Sequence, residues 1–370
     1  MKPFALALML MFPAAAFADD TAVTRLHDNT YSVDQTWGGT VIIDGVVQFA
    51  AGTTLTIKPG TRVMFTRADT DGDGIGENEI YIQGRLVAKG TLERPIVFTS
   101  AEDKPQPGDW GAVNIMVSEG ALNELDHCVI EYGYRGFHMH FSKGSIANCR
   151  IRDNYLGIQC QDSELAVTGC DISGNRGAIV FKDSKLTLTN NRIADNYWGI
   201  RFLYGEATLT GNIITGNMIN GVTFRENRVH AYGNILKGNR KGFSAEDADL
   251  ELKDNIIAGS VESGIYIKRA RGVISGNDIS GNGDSGISVE DSGVKVTGNN
   301  ITSNGSYAVD NNGQSDVDAA HNWWGTADPA LLGSLVYDKS SDKKLGRVIM
   351  APVSPGPFAI GGPAHKQVTN

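Results

Sequence analysis

The chain predicts an all-β fold, a solenoid of stacked parallel coils with three short strands per coil. Two observations carry that prediction. The first is a ladder of small residues recurring every 21 to 23 positions: Cys128, Cys149, Cys170, Asn191, Asn212, Asn234, Asn255, Asn277, Asn299 and Asn322. A second ladder stands five residues after most rungs, at Asn154, Asn175, Asn196, Asn217, Asn239, Asn282 and Asn304, with Ser260 filling one place. A fixed period of this length, without helical patterning, marks a unit that buries its apolar face only by stacking on its neighbours. The second observation is alternation. Two residues after each rung stands an apolar residue, as in Ile151, Ile172, Ile193 and Ile214. A Gly-apolar-x-apolar strand follows, as in Gly199-Ile200-Arg201-Phe202, and then a third strand such as Leu186-Thr187-Leu188. Period-two alternation places one set inside and the other outside.

Taken in chain order, residues 1–18 read as an export signal. Lys2 precedes an apolar run over 5–12, and Ala16-Phe17-Ala18 offers a small-residue cleavage site. Residues 19–52 are expected to cap the open edge, because a solenoid end exposes unpaired strand groups. Residues 53–127 form irregular coils, with strands such as Leu55-Thr56-Ile57 and Ile80-Tyr81-Ile82. Residues 128–325 form the regular coils. There the Asn rungs sit at turns, where a side-chain amide satisfies turn backbone that would otherwise be buried unpaired. Residues 326–358 are expected to cap the far end after the indoles of Trp323 and Trp324, and 359–370 to form a flexible tail.

Composition narrows the function. The formal charge of −9 becomes −10 once Lys2 leaves with the signal, and an acidic chain disfavours a nucleic-acid partner. Beyond the signal no apolar run reaches membrane-spanning length. The mature chain is expected to be secreted or periplasmic. Cys128, Cys149 and Cys170 share one ladder position and Cys160 lies on an inward strand position, so stacked thiols and a bridge between adjacent rungs both remain open.

The ladders, the Gly-Ile strands and the terminal His321-Asn322-Trp323-Trp324-Gly325-Thr326 resemble bacterial right-handed parallel β-helix repeat proteins of the pectin-lyase-like superfamily. That group includes NosD-like periplasmic proteins and carbohydrate-binding and sugar-hydrolase repeat families. The resemblance spans roughly residues 53–352 and implies the fold firmly. It implies no single chemistry, because such folds carry enzymes, binding modules and scaffolds alike.

Three features bear on function. Asp69, Asp71, Asp73 and Glu77 place carboxylates at alternate positions around Gly72 and Gly74, as in the first half of a calcium loop. Ile80 occupies the position of the closing Glu, so Glu77 or Glu79 must replace it. A structural Ca²⁺ is expected there. Next, the outward positions of the Gly-apolar strand and the turn before it align Tyr134, Arg135, His138, His140, Tyr155, Tyr197, Trp198, Arg201 and Arg225 into a stripe of rings and cations. Such a stripe suits an extended acidic polysaccharide, stacking on sugar faces and pairing with carboxylates. Lastly, His138 and His140 share a strand face, but no third metal ligand stands near in sequence, and they read as exposed polar residues.

The expected function is therefore a non-catalytic envelope protein that binds polysaccharide or serves as a scaffold. A polysaccharide lyase or glycoside hydrolase on the same stripe is the enzyme alternative. The motifs of the polygalacturonase-like members and the Asp-Pro-His of alginate epimerases are missing. A structural subunit of an envelope protein assembly is the third reading.

Overall fold

The computed structural model describes residues 22–360 apart from residue 119. The expected export signal and nearly all of the expected tail lie outside the described residues. Each coil runs through three walls. The first wall is a 13-stranded sheet that begins at Val23–Leu26 and ends at Asn300–Thr302. The second and third walls merge into one sheet, because in three coils a single strand turns the corner: Gly177–Thr189, Trp198–Thr210 and Asn220–Tyr232. Strands pair in parallel and in register, so Phe181 meets Phe202 and Phe202 meets Phe224.

That register turns repetition in sequence into stacking in space. The rings of Phe181, Phe202, Phe224 and Phe243 follow one another at centroid spacings of 5.8, 5.9 and 5.6 Å. Each is buried, and burial of such a ring contributes about 1.5–3 kcal/mol. The Asn ladders close the corners. Asn212 accepts from Asn191 N at 3.0 Å and from Asn191 Nδ2 at 2.9 Å, and donates to Leu188 O at 2.9 Å. The residue before each rung turns the chain with a positive φ: Asn190 at 53°, Gly211 at 65° and Asp254 at 57°. Gly, Asn and Asp tolerate that left-handed conformation, which is why Gly-Asn and Asp-Asn pairs punctuate the sequence.

A serine ladder, not anticipated from the sequence, serves the corner between the second and third walls. Ser142 N donates to Ser163 Oγ at 3.2 Å, and Ser163 N to Ser184 Oγ at 3.1 Å. All four cysteines are free and buried, with Cys149 N donating to Cys170 Sγ at 3.4 Å.

The ends differ from expectation. Residues 19–52 are expected to cap the stack, yet residues 22–52 belong to it. Val23–Leu26 pairs with Thr40–Ile43, and Asn29–Tyr31 with Val46–Phe49. Its strands are three or four residues long and carry Thr, Gln and Arg outward, so their alternation is faint in sequence. At the far end a short helix, Pro329–Leu332, is capped by Asp328, whose side chain accepts from Ala330 N. Val336–Tyr337 then pairs with Tyr307–Asn311, and Val348–Ile349 with Val317–Asp318, adding a partial coil. Trp324 is buried against the core.

Candidate functional site on the second wall

Two insertions in the irregular coils shape one edge of the stack. Residues 66–78 and 101–109 both leave the stack between the first and second walls, and they brace one another. Arg67 N donates to Glu102 Oε1 at 3.1 Å, and Gly76 N to Gly108 O at 2.7 Å. Gly108 N continues the contact to Tyr132 O at 3.0 Å. The second insertion therefore ends beside the turn that carries Tyr134.

From that turn a ladder of rings and cations runs coil by coil. The Tyr134 and Tyr155 centroids are 5.1 Å apart. The Arg176 guanidinium carbon lies 4.9 Å from the Tyr155 ring, 5.8 Å from Tyr197 and 5.5 Å from Trp198. Arg135 lies over Tyr134 at 4.8 Å. A groove of about 470 Å³ opens here, lined by Pro107, Tyr155, Arg176, Tyr197 and Met218. Tyr197 is 40% exposed at its rim.

On the adjoining sheet face the register puts Asn114, His138, Gln159, Val180, Arg201 and Thr223 in one row. Met116, His140, Gln161, Lys182, Leu203 and Arg225 form the next. The predicted residues thus share one wall, but they do not share one environment. Among the described residues Arg135, Arg176 and Arg201 have no carboxylate partner, whereas Arg225 stands 3.8 Å from Glu246. Further along, Glu246 pairs with Arg269 and Glu290 with Lys268, so neither carboxylate is a spare acid or base.

His138 departs from its expected role. It is 6% exposed, so its ring is not offered to a ligand lying along the face. Asn114 Nδ2 donates to Glu79 Oε2 at 2.7 Å, which turns Asn114 Oδ1 toward His138 Nδ1, also at 2.7 Å. That carbonyl oxygen can only accept, so Nδ1 carries the proton and Nε2 is a bare acceptor. His140 Nε2 lies 3.0 Å from it and donates. Burial, then the charge of Arg135, then His140 push the His138 imidazole down to about 3. Burial also lowers His140, against the opposing pull of Asp162. Burial raises Glu79, although the Asn114 hydrogen bond and Arg135 oppose it. Both imidazoles are therefore neutral near pH 7.

No pattern in the sequence singles out Asn114. Its partner lies 24 residues on, one coil further in register, and only strand pairing reveals it. The same holds on the third wall. There His230 shares Glu251 with Tyr232, whose hydroxyl donates to Glu251 Oε2 at 2.6 Å.

In the first insertion the ligand oxygens of Asp69, Asp71 and Asp73 lie within 4.8 Å of one another. Gly72 N and Gly74 N donate to Asp69, Asp73 N to Asp71 and Ile75 N to Asp73. Glu77 turns back to accept from Thr70 N at 3.2 Å. Glu79, the other residue that stood to close the loop, faces Asn114 instead.

Comparison with known proteins fits this architecture. Family models match in three stretches: a right-handed β-helix region over 109–239, a pectate-lyase-like β-helix domain over 30–167, and the periplasmic copper-binding protein NosD over 206–323. A point mutant of the periplasmic alginate epimerase AlgG is 14% identical, covering 77% of this chain and 76% of its own, with a TM-score of 0.52. The chain thus has the right-handed parallel β-helix fold, and β-helix models, one of them pectate-lyase-like, match parts of it. The A-module of a mannuronan C-5 epimerase from Azotobacter vinelandii is 13% identical, over 90% of this β-helix and 91% of the module, with a TM-score of 0.39. No curated protein matches it in sequence. At these identities the likeness is one of fold. No helix among the described residues is long and apolar enough to cross a membrane.

Proposed function

We propose that this β-helix is an envelope protein, exported to the periplasm, that binds an acidic polysaccharide along the edge from Tyr134 to Arg201 without turning it over. The observation that carries the reading is the set of guanidiniums at Arg135, Arg176 and Arg201, which have no carboxylate partner among the described residues of an acidic chain. Elsewhere Arg192, Arg240, Arg269 and Arg271 are each paired with Asp or Glu. Unpaired guanidiniums interleaved with tyrosines offer a uronate chain both a partner for its carboxylates and rings for its apolar faces. The periplasmic alginate epimerase that shares the fold handles a polymer of that class.

In the same reading Asp69, Asp71 and Asp73 hold a Ca²⁺ ion that braces the first insertion against the second. The test is a binding screen of the mature protein on uronate-rich and neutral polysaccharides, with and without calcium. Unsaturated-product absorbance and reducing ends are followed on the same samples. Retention on uronate polymers alone, with no product, is the expected result. Product formation replaces the binding reading with an enzyme, and absence of retention removes the glycan altogether.

A further inference from the structure

The edge that carries the rings and cations is closed at one end. Tyr155 N donates to Gly133 O, Arg176 N to Asn154 O, Tyr197 N to Asn175 O and Met218 N to Asn196 O. These bonds put Tyr134, Tyr155, Arg176, Tyr197 and Met218 in single file, one per coil. Four steps at about 4.8 Å make the file about 19 Å long, the reach of a short oligosaccharide.

The file lies where each coil passes from the first wall to the second. The two insertions, 66–78 and 101–109, leave the stack at that same passage, in the two coils immediately before the one that carries Tyr134. Later coils make the passage in short turns, at 153–155, 174–176 and 195–197. The line of the file is therefore obstructed before Tyr134 and clear beyond it. Burial follows the same order. Tyr134 and Tyr155 are half-buried, Arg176 and Tyr197 are exposed, and Met218 is 67% exposed.

The obstruction is braced. Gly108 N and Asp109 N both donate to Tyr132 O at 3.0 Å, which holds the second insertion on the turn before Tyr134. The buried Asp109 carboxylate accepts from Ser100 Oγ at 2.8 Å and from Gln106 N at 2.9 Å. Pro107, between these anchors, lines the groove with Tyr155 and Tyr197. A polymer held by its interior must leave a groove at both ends, whereas a groove closed at one end admits a chain terminus. At the closed end Arg135 lies over the Tyr134 ring, where a guanidinium can pair with the carboxylate of a last sugar.

We infer that the groove recognises the terminus of a uronate chain, with the 101–109 insertion as the stop and Arg135 and Arg176 as partners for the last carboxylates. The inference rests on the glycan reading above and narrows it.

The test is calorimetric titration of the full mature chain with uronate chains of defined length, from short oligomers to long polymers. One protein per polysaccharide chain is expected at every length, with Kd per chain constant within about twofold. A stoichiometry that rises with length overturns end recognition and leaves the glycan reading standing. Absence of binding at every length overturns both. A variant with Lys104–Pro107 replaced by two glycines opens the stop, and several copies of it are expected on each long chain. A folded variant that still binds one per chain overturns the role of the insertion as the stop. The titration of the unaltered protein decides the matter whether or not that variant folds.

Discussion

Arg176 lies over the ring of Tyr155, its guanidinium carbon 4.9 Å from the centroid, and the same cation reaches Tyr197 from the next coil. A cation held this way contributes only about 0.5–1 kcal/mol to stability at an exposed site. Its charge has no carboxylate partner and is available to a ligand. Arg176→Ala is therefore expected to leave the melting temperature nearly unchanged while lowering affinity for a uronate polymer at least tenfold, about 1.4 kcal/mol. Tyr155→Ala should do the same, and the double variant should lose less than the sum because the two side chains touch. Arg225→Ala is the contrast. That side chain stands beside Glu246, and its loss should change glycan affinity little. Affinity electrophoresis in alginate and in a neutral glucan reads all four.

The Asn ladder makes a different demand. Asn212 is fully buried, and its removal strands the amide groups of Asn191 above it and Leu188 O, while Asn234 Oδ1 keeps the backbone N–H of position 212. Each buried group left unpaired costs about 1–3 kcal/mol. Asn212→Ala is thus expected to destabilise the chain by more than about 3 kcal/mol in urea unfolding. The adjacent Asn190 is exposed, with φ of 53°, where glycine is at ease. Asn190→Gly should stay within about 1 kcal/mol of the parent. Equal losses in the two variants would mean that the rungs do not carry the corner.

How much of this was legible follows from what each feature depends on. The repeat writes its period directly into the sequence, so the coil, the inward set and the outward rows at Arg201 and Arg225 could be read without coordinates. The first coils could not, because strands such as Gln35–Trp37 are too short to show alternation and their spacing is uneven. The stripe was visible as a row, but its electrostatics were not. Nothing in the sequence says that Arg225 meets Glu246 while Arg201 meets no acid. The His138–Asn114–Glu79 chain was invisible for a further reason. It crosses coils of unequal length, with spacings of 24 and 35 residues, so no single period connects its members. Burial of His138 likewise depends on those irregular coils.

Asp310 supplies a pH dependence away from the site. Burial raises its carboxyl above the ordinary value, although hydrogen bonds from Ser288, Ser285 and Asn312 oppose the shift. Ser285 Oγ donates to Asp310 Oδ2 at 3.1 Å. A carboxyl whose folded value is raised binds its proton more tightly in the folded chain. Stability therefore rises as pH falls from neutral toward the ordinary carboxylate range, and the cost of burying the charge is fully present above the raised value. Asp310→Asn removes that cost while keeping an acceptor for Ser285. The variant is expected to melt above the parent at pH 7.5, with the difference shrinking by pH 4. A constant difference across that range would rule out the buried charge as its source.

The cysteine rungs test the stack by chemistry. Cys149 N donates to Cys170 Sγ at 3.4 Å, and Cys128 N to Cys149 Sγ at 3.3 Å, so sulfur here replaces the amide oxygen of the Asn rungs below. Hydrogen bonding with Cys128 and burial hold the Cys149 thiol well above its ordinary range. Hydrogen bonding with Cys149 and burial do the same to Cys170, and burial alone to Cys160. Because the thiolate is the reactive form, such thiols are inert while the coils stay closed. Ellman's reagent is expected to label none of the four in the native protein at pH 8, and all four after unfolding in guanidinium. Fewer than four in the unfolded, unreduced chain would reveal a bridge between rungs. Rapid labelling of the native chain would mean that these coils open.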